Sequence, residues 1–198
     1  MTDKKAHSEH MKEVKSEVDK KIKEASLDKG LIIVLTGDGK GKSSSGFGMI
    51  ARALGHGMKA GIVQYIKGKI KTGEDAFFSK QEGVSFHAMG EGFTWNVQDR
   101  DKDVAAVRRG WEKSLELLKD SSIDVVMLDE LNVVLEFDYL PVEEVVSALK
   151  NKLPNQHIII TGRGAKQEII DLADTVSEVS VVKHAFESGI RAQRGIEF

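Results

Sequence analysis

The sequence predicts an α/β fold in which helices cover both faces of a mostly parallel central sheet. Short apolar segments alternate with amphipathic segments about five or six times along the chain, which is typical of strand–helix–strand units. The apolar segments are nearly unbroken runs of Leu, Ile and Val, as in strands that are buried on both faces. Because no repeat or linker divides the 198 residues, we predict one domain, residues 30–198, preceded by a helical arm, residues 1–29.

Composition argues against several classes of function. The 29 basic and 31 acidic residues give a net charge of −2, so no overall basic field predicts binding to nucleic acid. The chain has no cysteine, which excludes disulfides and thiolate-bound metals. Its first residues are polar and no apolar run is long enough to span a membrane, so we expect a cytoplasmic protein with no membrane partner.

The N-terminal arm, residues 1–29, carries a narrow apolar stripe. Met11, Val14, Val18 and Ile22 recur at spacings of three and four, which predicts an amphipathic helix. A helix of this length is marginally stable alone in water, so we expect it to dock on another surface as a lid or partner-contacting arm. The alternative is a solvated helical arm without a role.

Residues 36–45 form a glycine-rich turn between an apolar run and an amphipathic segment, an order that predicts a phosphate-binding loop. Glycines let several N–H groups point inward, the helix start adds positive potential, and Lys42 adds a full charge. Ser43 places a hydroxyl where a phosphate-bound Mg²⁺ would sit. The predicted nucleotide-binding residues of this loop are Gly37, Asp38, Gly39, Lys40, Gly41, Lys42, Ser43 and Ser44.

Two positions of the loop are unusual for this motif. Thr36 stands where the consensus G-x-x-x-x-G-K-[ST] has its first glycine. Asp38 would repel phosphate if its carboxylate pointed into the loop, so we expect it to turn outward and bond to its own turn. The alternative interpretation is a glycine-rich strand-to-helix turn that binds no ligand.

The first half of the chain is predicted as follows. Residues 31–35 form a strand because they are all Leu, Ile or Val, and residues 42–55 form the helix after the loop. Residues 60–66 form a second apolar strand, which we expect to pair in parallel with the first because a helical crossover joins them. The polar residues 67–80 are predicted as a loop and residues 84–89 as a short strand.

The second half repeats this alternation. Apolar residues at helical spacing predict a long helix over residues 98–119, followed by a strongly apolar strand, residues 123–128. Pro141 is well placed in the first turn of another helix. Residues 157–160 form a buried strand, and the last predicted elements are a short helix and a strand, residues 166–172 and 175–182.

Polar residues follow two of the predicted strands. Asp129 and Glu130 end an apolar strand downstream of the glycine loop, where a carboxylate holds Mg²⁺ directly or through water, although two acids that merely cap a strand would look the same. Arg163 lies in a second glycine turn and is either a phosphate contact or an ordinary surface residue. His184 lacks sequence partners for a metal site, so we expect it to be packed or hydrogen-bonded.

Phe93 and Trp95 form an aromatic pair in a segment with two glycines, residues 90–95. One interpretation is that both rings fold back onto the core. The other is a flat aromatic wall against a large ligand. The sequence pattern leaves both interpretations open.

Nine short runs, taken in order, resemble the P-loop class of ATP:cob(I)alamin adenosyltransferases. The resemblance is collinear and covers nearly the whole chain, and the short loop with Thr36 is itself a mark of that family. The runs are TGDGKGKS at 36–43, ARALGHG at 51–57, VQYIKG at 63–68, GFTW at 92–95, LDEL at 128–131, DYLP at 138–141, TGRG at 161–164, LADTVSE at 172–178 and VKHAF at 182–186.

The resemblance implies a RecA-like fold, a homodimer, and attack of Co(I) in a reduced corrinoid on the 5′ carbon of ATP. Residues 37–43 would hold the triphosphate, Ser43 and Glu130 would hold Mg²⁺, and Lys42 would stabilise charge on the leaving group. Phe93 and Trp95 would lie against the lower face of the corrin. The arm would cover the corrinoid from the partner subunit, and a reduced flavin or flavoprotein would supply electrons.

Departures from the family pattern are mild. Asp38 stands where Asn is commoner, Ser43 and Ser44 where Thr is, and Asn132 where Thr is more usual. Two other functions remain open from the sequence. One is a RecA-like ATPase that couples hydrolysis to a partner, with Glu130 orienting a water at the terminal phosphate. The other is a nucleotide- or corrinoid-binding regulator without catalytic activity.

Overall fold

A computed structural model describes residues 2–66, 72–90 and 100–197 of the chain. Six strands form one sheet, and every strand pairing in it is parallel. The spatial order of the strands is β3-β2-β4-β5-β1-β6. In chain order these strands are β1 Ile32–Thr36, β2 Ala60–Gln64, β3 Val84–Ala88, β4 Val125–Asp129, β5 His157–Thr161 and β6 Thr175–Glu178.

Helices connect these strands and lie on both faces of the sheet. Successive residues of a strand point to opposite faces, so Val126 and Leu128 of β4 enter one core and Val125 and Met127 the other. The predicted α/β fold is therefore confirmed. The helices are α1 Thr2–Glu24, α2 Lys42–Gly55, α3 Gly73–Phe78, α4 Arg100–Lys119, α5 Leu131–Glu136, α6 Val142–Lys150 and α7 Gln167–Leu172.

The predicted pairing of the first two strands is wrong. β1 lies between β5 and β6, and both β4 and β5 separate it from β2. The helical crossover α2 keeps β1 and β2 parallel, but it leaves two strand positions between them, which β4 and β5 occupy. Strand β5 thus separates the strand that precedes the glycine loop from the strand that ends in Asp129.

Two local predictions also need correction, and one helix was not predicted. Part of the predicted loop, residues 67–80, is helix α3, which Thr72 caps by accepting a hydrogen bond of 3.2 Å from the amide of Asp75. Helix α5 was not predicted, because it is a short apolar segment that follows a strand directly. The last strand ends at Glu178 rather than at residue 182.

The N-terminal arm is helical, as predicted, over Thr2–Glu24. Residues 6–29 are all exposed, and the stripe residues Met11 and Ile22 are 51% and 65% exposed. The docking surface that the stripe predicts is therefore not supplied by the described part of its own chain. Within the described residues, no helix combines the length and apolarity needed to cross a membrane.

Candidate functional site

The predicted residues of the glycine loop meet Glu130 and Arg163 at the carboxyl edge of the sheet. The glycine loop follows β1, Glu130 follows β4 and Arg163 follows β5, and in a parallel sheet these ends lie side by side. They surround a cavity of about 340 Å³. Its lining residues are Asp38, Gly39, Lys40, Gly41, Lys42, Ser43, Ser44, Glu74, Glu130, Arg163, His184, Ile196 and Glu197.

Glycine is required at specific places in the loop. Gly37 and Gly41 have φ angles of 93° and 122°, which L side chains rarely adopt. At Gly39 an added Cβ would lie 2.6 Å from the carbonyl oxygen of Ser180. The N–H of Gly39 donates a hydrogen bond of 2.6 Å to the carbonyl oxygen of Val179. The segment after β6 therefore packs directly on the loop and holds it in a tight curve that ends where α2 begins.

Lys42 is the first residue of α2, and it is only 8% exposed. Its Nζ donates a hydrogen bond of 2.7 Å to the carbonyl oxygen of Gly39. Burial lowers the pKa of Lys42, and the negative charge of Glu130 opposes that shift. A buried cation at a helix N-terminus is suited to bind a polyphosphate, because the negative phosphates would compensate for the hydration that the ammonium group loses on burial.

Asp38 turns outward from the loop, with its side chain 80% exposed. Its partner is Arg163 rather than its own turn: the Oδ1 atom lies 3.8 Å from the Arg163 Nε. Arg163 in turn approaches the carbonyl oxygen of Asp38, at 3.5 Å. The guanidinium group thus lies against the loop and lines its cavity, although its side chain is 62% exposed.

The two acids at the end of β4, Asp129 and Glu130, have different environments. Asp129 is completely buried, and its carboxylate accepts hydrogen bonds from Thr161 at 2.7 Å and from Gln64 at 2.8 Å. Glu130 instead lines the cavity with Lys42 and Ser43. The geometry therefore favours Glu130 over Asp129 as the acid that contacts a ligand directly, and the predicted metal role of Asp129 stays a prediction.

The oxygen donors at this edge fit a nucleotide-bound magnesium ion. Ser43 and Glu130 offer a hydroxyl and a carboxylate in one cavity, and Mg²⁺ is commonly held by one or two such groups together with phosphates and water. Among the described residues, no cluster of three or more His, Asp or Glu side chains could hold a metal alone.

A second, larger cavity of about 800 Å³ adjoins the first and shares Asp38, Glu130 and Arg163 with it. Its volume is in the range of sites for small molecules. The walls combine apolar and acidic side chains, with an apolar side that is formed by Ile66, Val133, Phe137, Ala165 and Ile170.

Comparison with known proteins identifies the family. The profile described as "ATP:corrinoid adenosyltransferase BtuR/CobO/CobP" matches residues 28–198. The chain belongs to this family. It is a transferase: a corrinoid adenosyltransferase of Pseudomonas aeruginosa is 51% identical over 193 residues, which cover 97% of this chain and 95% of that protein.

Other members of the ATP:corrinoid adenosyltransferase family are similar over almost their whole length. The corrinoid adenosyltransferase of Escherichia coli K12 is 47% identical, over 97% of each chain. The corrinoid adenosyltransferase CobA of Salmonella typhimurium is 46% identical, also over 97% of each chain. The crystal structure of the RadB recombinase is a remote likeness, with 13% identity and a TM-score of 0.43 over 80% of this chain and 78% of that one.

The structure of this family member adds residues that the sequence did not single out. Thr161 and Gln64 hold Asp129, and Glu197 pairs with Lys40 at 2.5 Å at the cavity wall. The strand register that aligns Gln64 with Asp129 cannot be read from sequence spacing.

The predicted hydrogen bonding of His184 is confirmed, because its Nδ1 accepts from the amide of Phe186 at 3.2 Å.

The aromatic pair cannot be placed in this site. Phe93 and Trp95 lie outside the described residues, as do residues 67–71 of the segment after β2. The described chain stops at Gly90 and resumes at Arg100, the first residue of α4. The predicted role of both rings stays a prediction.

Proposed function

We propose that this adenosyltransferase moves the 5′-deoxyadenosyl group of ATP to the Co(I) ion of a reduced corrinoid and releases triphosphate, in adenosylcobalamin synthesis or salvage. The observation that supports this reaction is the pair of adjoining cavities. The glycine loop and Lys42 form a polyphosphate site, and a larger cavity begins where that site ends, at Asp38, Glu130 and Arg163. In this proposal, the ribose of a nucleotide held in the loop lies toward these three residues, which line both cavities.

The proposed reaction needs no protein nucleophile. Co(I) supplies an electron pair to C5′ of ATP, so a cobalt–carbon bond forms while the C5′–oxygen bond breaks. The electron pair of the broken bond leaves with the triphosphate. The protein therefore has to bind, orient and neutralise charge, and these tasks match a site that is rich in backbone amides and cations.

The loop and the residues around its cavity have different tasks in this proposal. Residues 37–43 hold the triphosphate with their amides, and Lys42 stabilises the charge that grows on the leaving group. Arg163 adds a second cation at the same wall. Ser43 and Glu130 would hold Mg²⁺, with Asp129 behind them, and the metal would supply further neutralisation of the triphosphate.

The remaining parts of the proposal concern the corrinoid. Phe93 and Trp95 would form an apolar wall beneath the ring and displace the lower axial ligand, which makes reduction of Co(II) easier. A reduced flavin or flavoprotein would supply that electron. The arm would cover the corrinoid of the partner subunit in a homodimer, which agrees with its exposed apolar stripe. We place the reaction in the cytoplasm.

Anaerobic incubation with ATP, Mg²⁺ and pre-reduced cobalamin tests the proposed function. A light-sensitive alkylcobalamin should appear together with one triphosphate per turnover. ADP and phosphate without alkylation would favour a RecA-like ATPase that uses Glu130 to orient water. Nucleotide or corrinoid binding without any product would favour a regulator.

A further inference from the structure

Three buried polar residues lie side by side at the carboxyl ends of neighbouring strands. Gln64 of β2 is in register with Asp129 of β4, and the pairing of Leu128 with Ile160 places Thr161 of β5 next to Asp129 on its other side. Gln64 is 1% exposed, and Asp129 and Thr161 are fully buried. A charged residue in such a place requires hydrogen-bond donors on both sides.

The donors and acceptors of this row can be assigned from chemistry. Gln64 donates through Nε2 to one oxygen of Asp129 at 2.8 Å, and the Thr161 hydroxyl donates to the other at 2.7 Å. A carboxylate only accepts, so the single proton of Thr161 is committed to Asp129. The lone pairs of the same hydroxyl then accept the backbone N–H of Glu130, at 2.9 Å.

Glu130 has an unusual backbone conformation at this point. Its φ and ψ angles are 66° and 18°, in the left-handed region that residues with a Cβ rarely adopt. Strained residues of this kind persist where the surrounding structure enforces them, often at functional sites. Glu130 is also the turn from β4 into α5, and its carbonyl accepts the first backbone bond of that helix, from Val134 at 3.3 Å.

We propose that Thr161, oriented by Asp129, is a positioning residue for Glu130. Its hydroxyl fixes the amide of a strained residue, and this holds the Glu130 side chain toward the cavity that Lys42 and Ser43 also line. Asp129 thus acts through Thr161 rather than on the ligand. The inference rests on the proposed function to the extent that Glu130 binds the magnesium of the nucleotide.

The pair Thr161→Val and Thr161→Ser tests this proposal. Valine keeps the shape but has no hydroxyl, whereas serine keeps the hydroxyl. Calorimetric binding of ATP is measured with Mg²⁺ and with EDTA, together with kcat and KM for ATP and for Mg²⁺ using pre-reduced cobalamin. Loss of an outer-shell partner typically lowers metal affinity by about tenfold or more.

For Thr161→Val we expect the gain in ATP affinity from Mg²⁺ to fall about tenfold, with kcat reduced and metal-free ATP binding nearly unchanged. Thr161→Ser should behave like the wild type in all three measurements. Equal losses with and without Mg²⁺, or an equally impaired serine variant, would show a merely structural role and overturn the proposal.

Two safeguards keep the test decisive. If circular dichroism shows that Thr161→Val does not fold, Thr161→Ala is used instead, with the same expected results. The proposal is overturned if a folded variant without the hydroxyl binds ATP with the same dependence on Mg²⁺ as the wild type. The binding measurement contains no corrinoid. Failure of the wild type to alkylate cobalamin would therefore refute the proposed function, while the Mg²⁺ dependence of ATP binding would still decide the role of Thr161.

Discussion

Lys42 donates its hydrogen bond to the carbonyl oxygen of Gly39 at 2.7 Å, so the cation folds back over the loop that it is expected to serve. The ammonium group has three donors, so it can keep this bond and also donate to a bound phosphate, whose negative charge makes that second bond stronger. Lys40 lies on the same loop, but its side chain is 44% exposed and is paired with Glu197. The two lysines therefore differ in how much each can contribute to binding.

Substitution of the buried lysine should have the larger effect. Because a buried charge-assisted bond is worth about 2–3 kcal/mol, Lys42→Ala should weaken binding of inorganic triphosphate about a hundredfold. Lys40→Ala should cost only about two- to fivefold, as expected for an exposed cation in water. Isothermal titration with triphosphate measures both, and equal losses in the two variants would contradict the assignment of Lys42 as the main phosphate ligand.

The ion pair between Lys40 and Glu197 should compete with a bound triphosphate. Glu197 lines the same cavity, so its carboxylate both occupies the Lys40 ammonium and repels an incoming anion. Glu197→Gln should therefore tighten triphosphate binding by about two- to fivefold at low salt, and the gain should shrink as ionic strength rises. Glu116→Gln is the matched control, because it removes a carboxylate paired with Lys113 that lines neither cavity. Unchanged or weaker binding in Glu197→Gln would contradict this prediction.

The sequence predicted those parts of the fold that depend on local patterns. Local residue patterns located all six strands, and the residues after the strands located the glycine loop, Glu130 and Arg163 at one edge. The order of the strands was not predictable in this way, because a helical crossover fixes direction but not distance along the sheet. The expected pairing of the first two strands failed for that reason.

The site shows the same division between local and long-range information. Lys42 and Ser43 follow from the loop motif, but the separate environments of Asp129 and Glu130 depend on which strands flank β4. Thr161 was visible only as part of a glycine turn, and its bonds to both acids arise from register across the sheet. Helix α3 was missed because its signals, the Thr72 cap and two early acids, lie in a segment dominated by polar residues and glycine.

Asp174 provides a pH-dependent contact where the arm joins the domain. Its carboxylate pairs with Lys29 and accepts the amide of Ile32 at 2.9 Å, and the Lys29 contact lowers the pKa of Asp174. A carboxyl whose pKa is lowered in the folded state binds fewer protons there than when unfolded, so its contribution to stability is present at neutral pH and is lost as pH falls through the folded pKa.

We therefore expect Asp174→Asn to lower the free energy of unfolding at pH 7 and to differ less from the wild type at about pH 3, below the pKa of an unfolded Asp, where part of the stabilisation by the ionised wild-type carboxyl has been lost. Urea unfolding at both pH values measures the difference. Asp171→Asn serves as control, because that exposed acid contacts only Gln167 among the hydrogen bonds seen in the described chain. A difference that grows toward acid pH would contradict the assigned sign.

The predicted aromatic wall can be tested without knowing where its residues lie. If Phe93 and Trp95 favour a Co(II) state without its lower ligand, Phe93→Ala and Trp95→Ala should impair alkylation far more from Co(II) with a reduced flavin than from pre-reduced Co(I). Steady-state rates in the two anaerobic assays measure the ratio. If both assays lose the same factor, the rings serve binding or folding instead of reduction.

The exposed stripe of α1 should matter for the corrinoid step but not for the stability of the folded domain. Val18 is 47% exposed and residues 6–29 are all exposed, so Val18→Asp should leave the thermal midpoint unchanged. If the stripe covers the corrinoid of a partner subunit, the same change should raise KM for cob(I)alamin about tenfold, equivalent to losing one buried valine contact of about 1.5 kcal/mol. Ser16→Asp adds the same charge two positions away, on the opposite face of the helix, and should leave KM near the wild-type value. Equal KM changes in the two variants would show that the arm acts through its charge, because only a docked apolar face distinguishes the two positions.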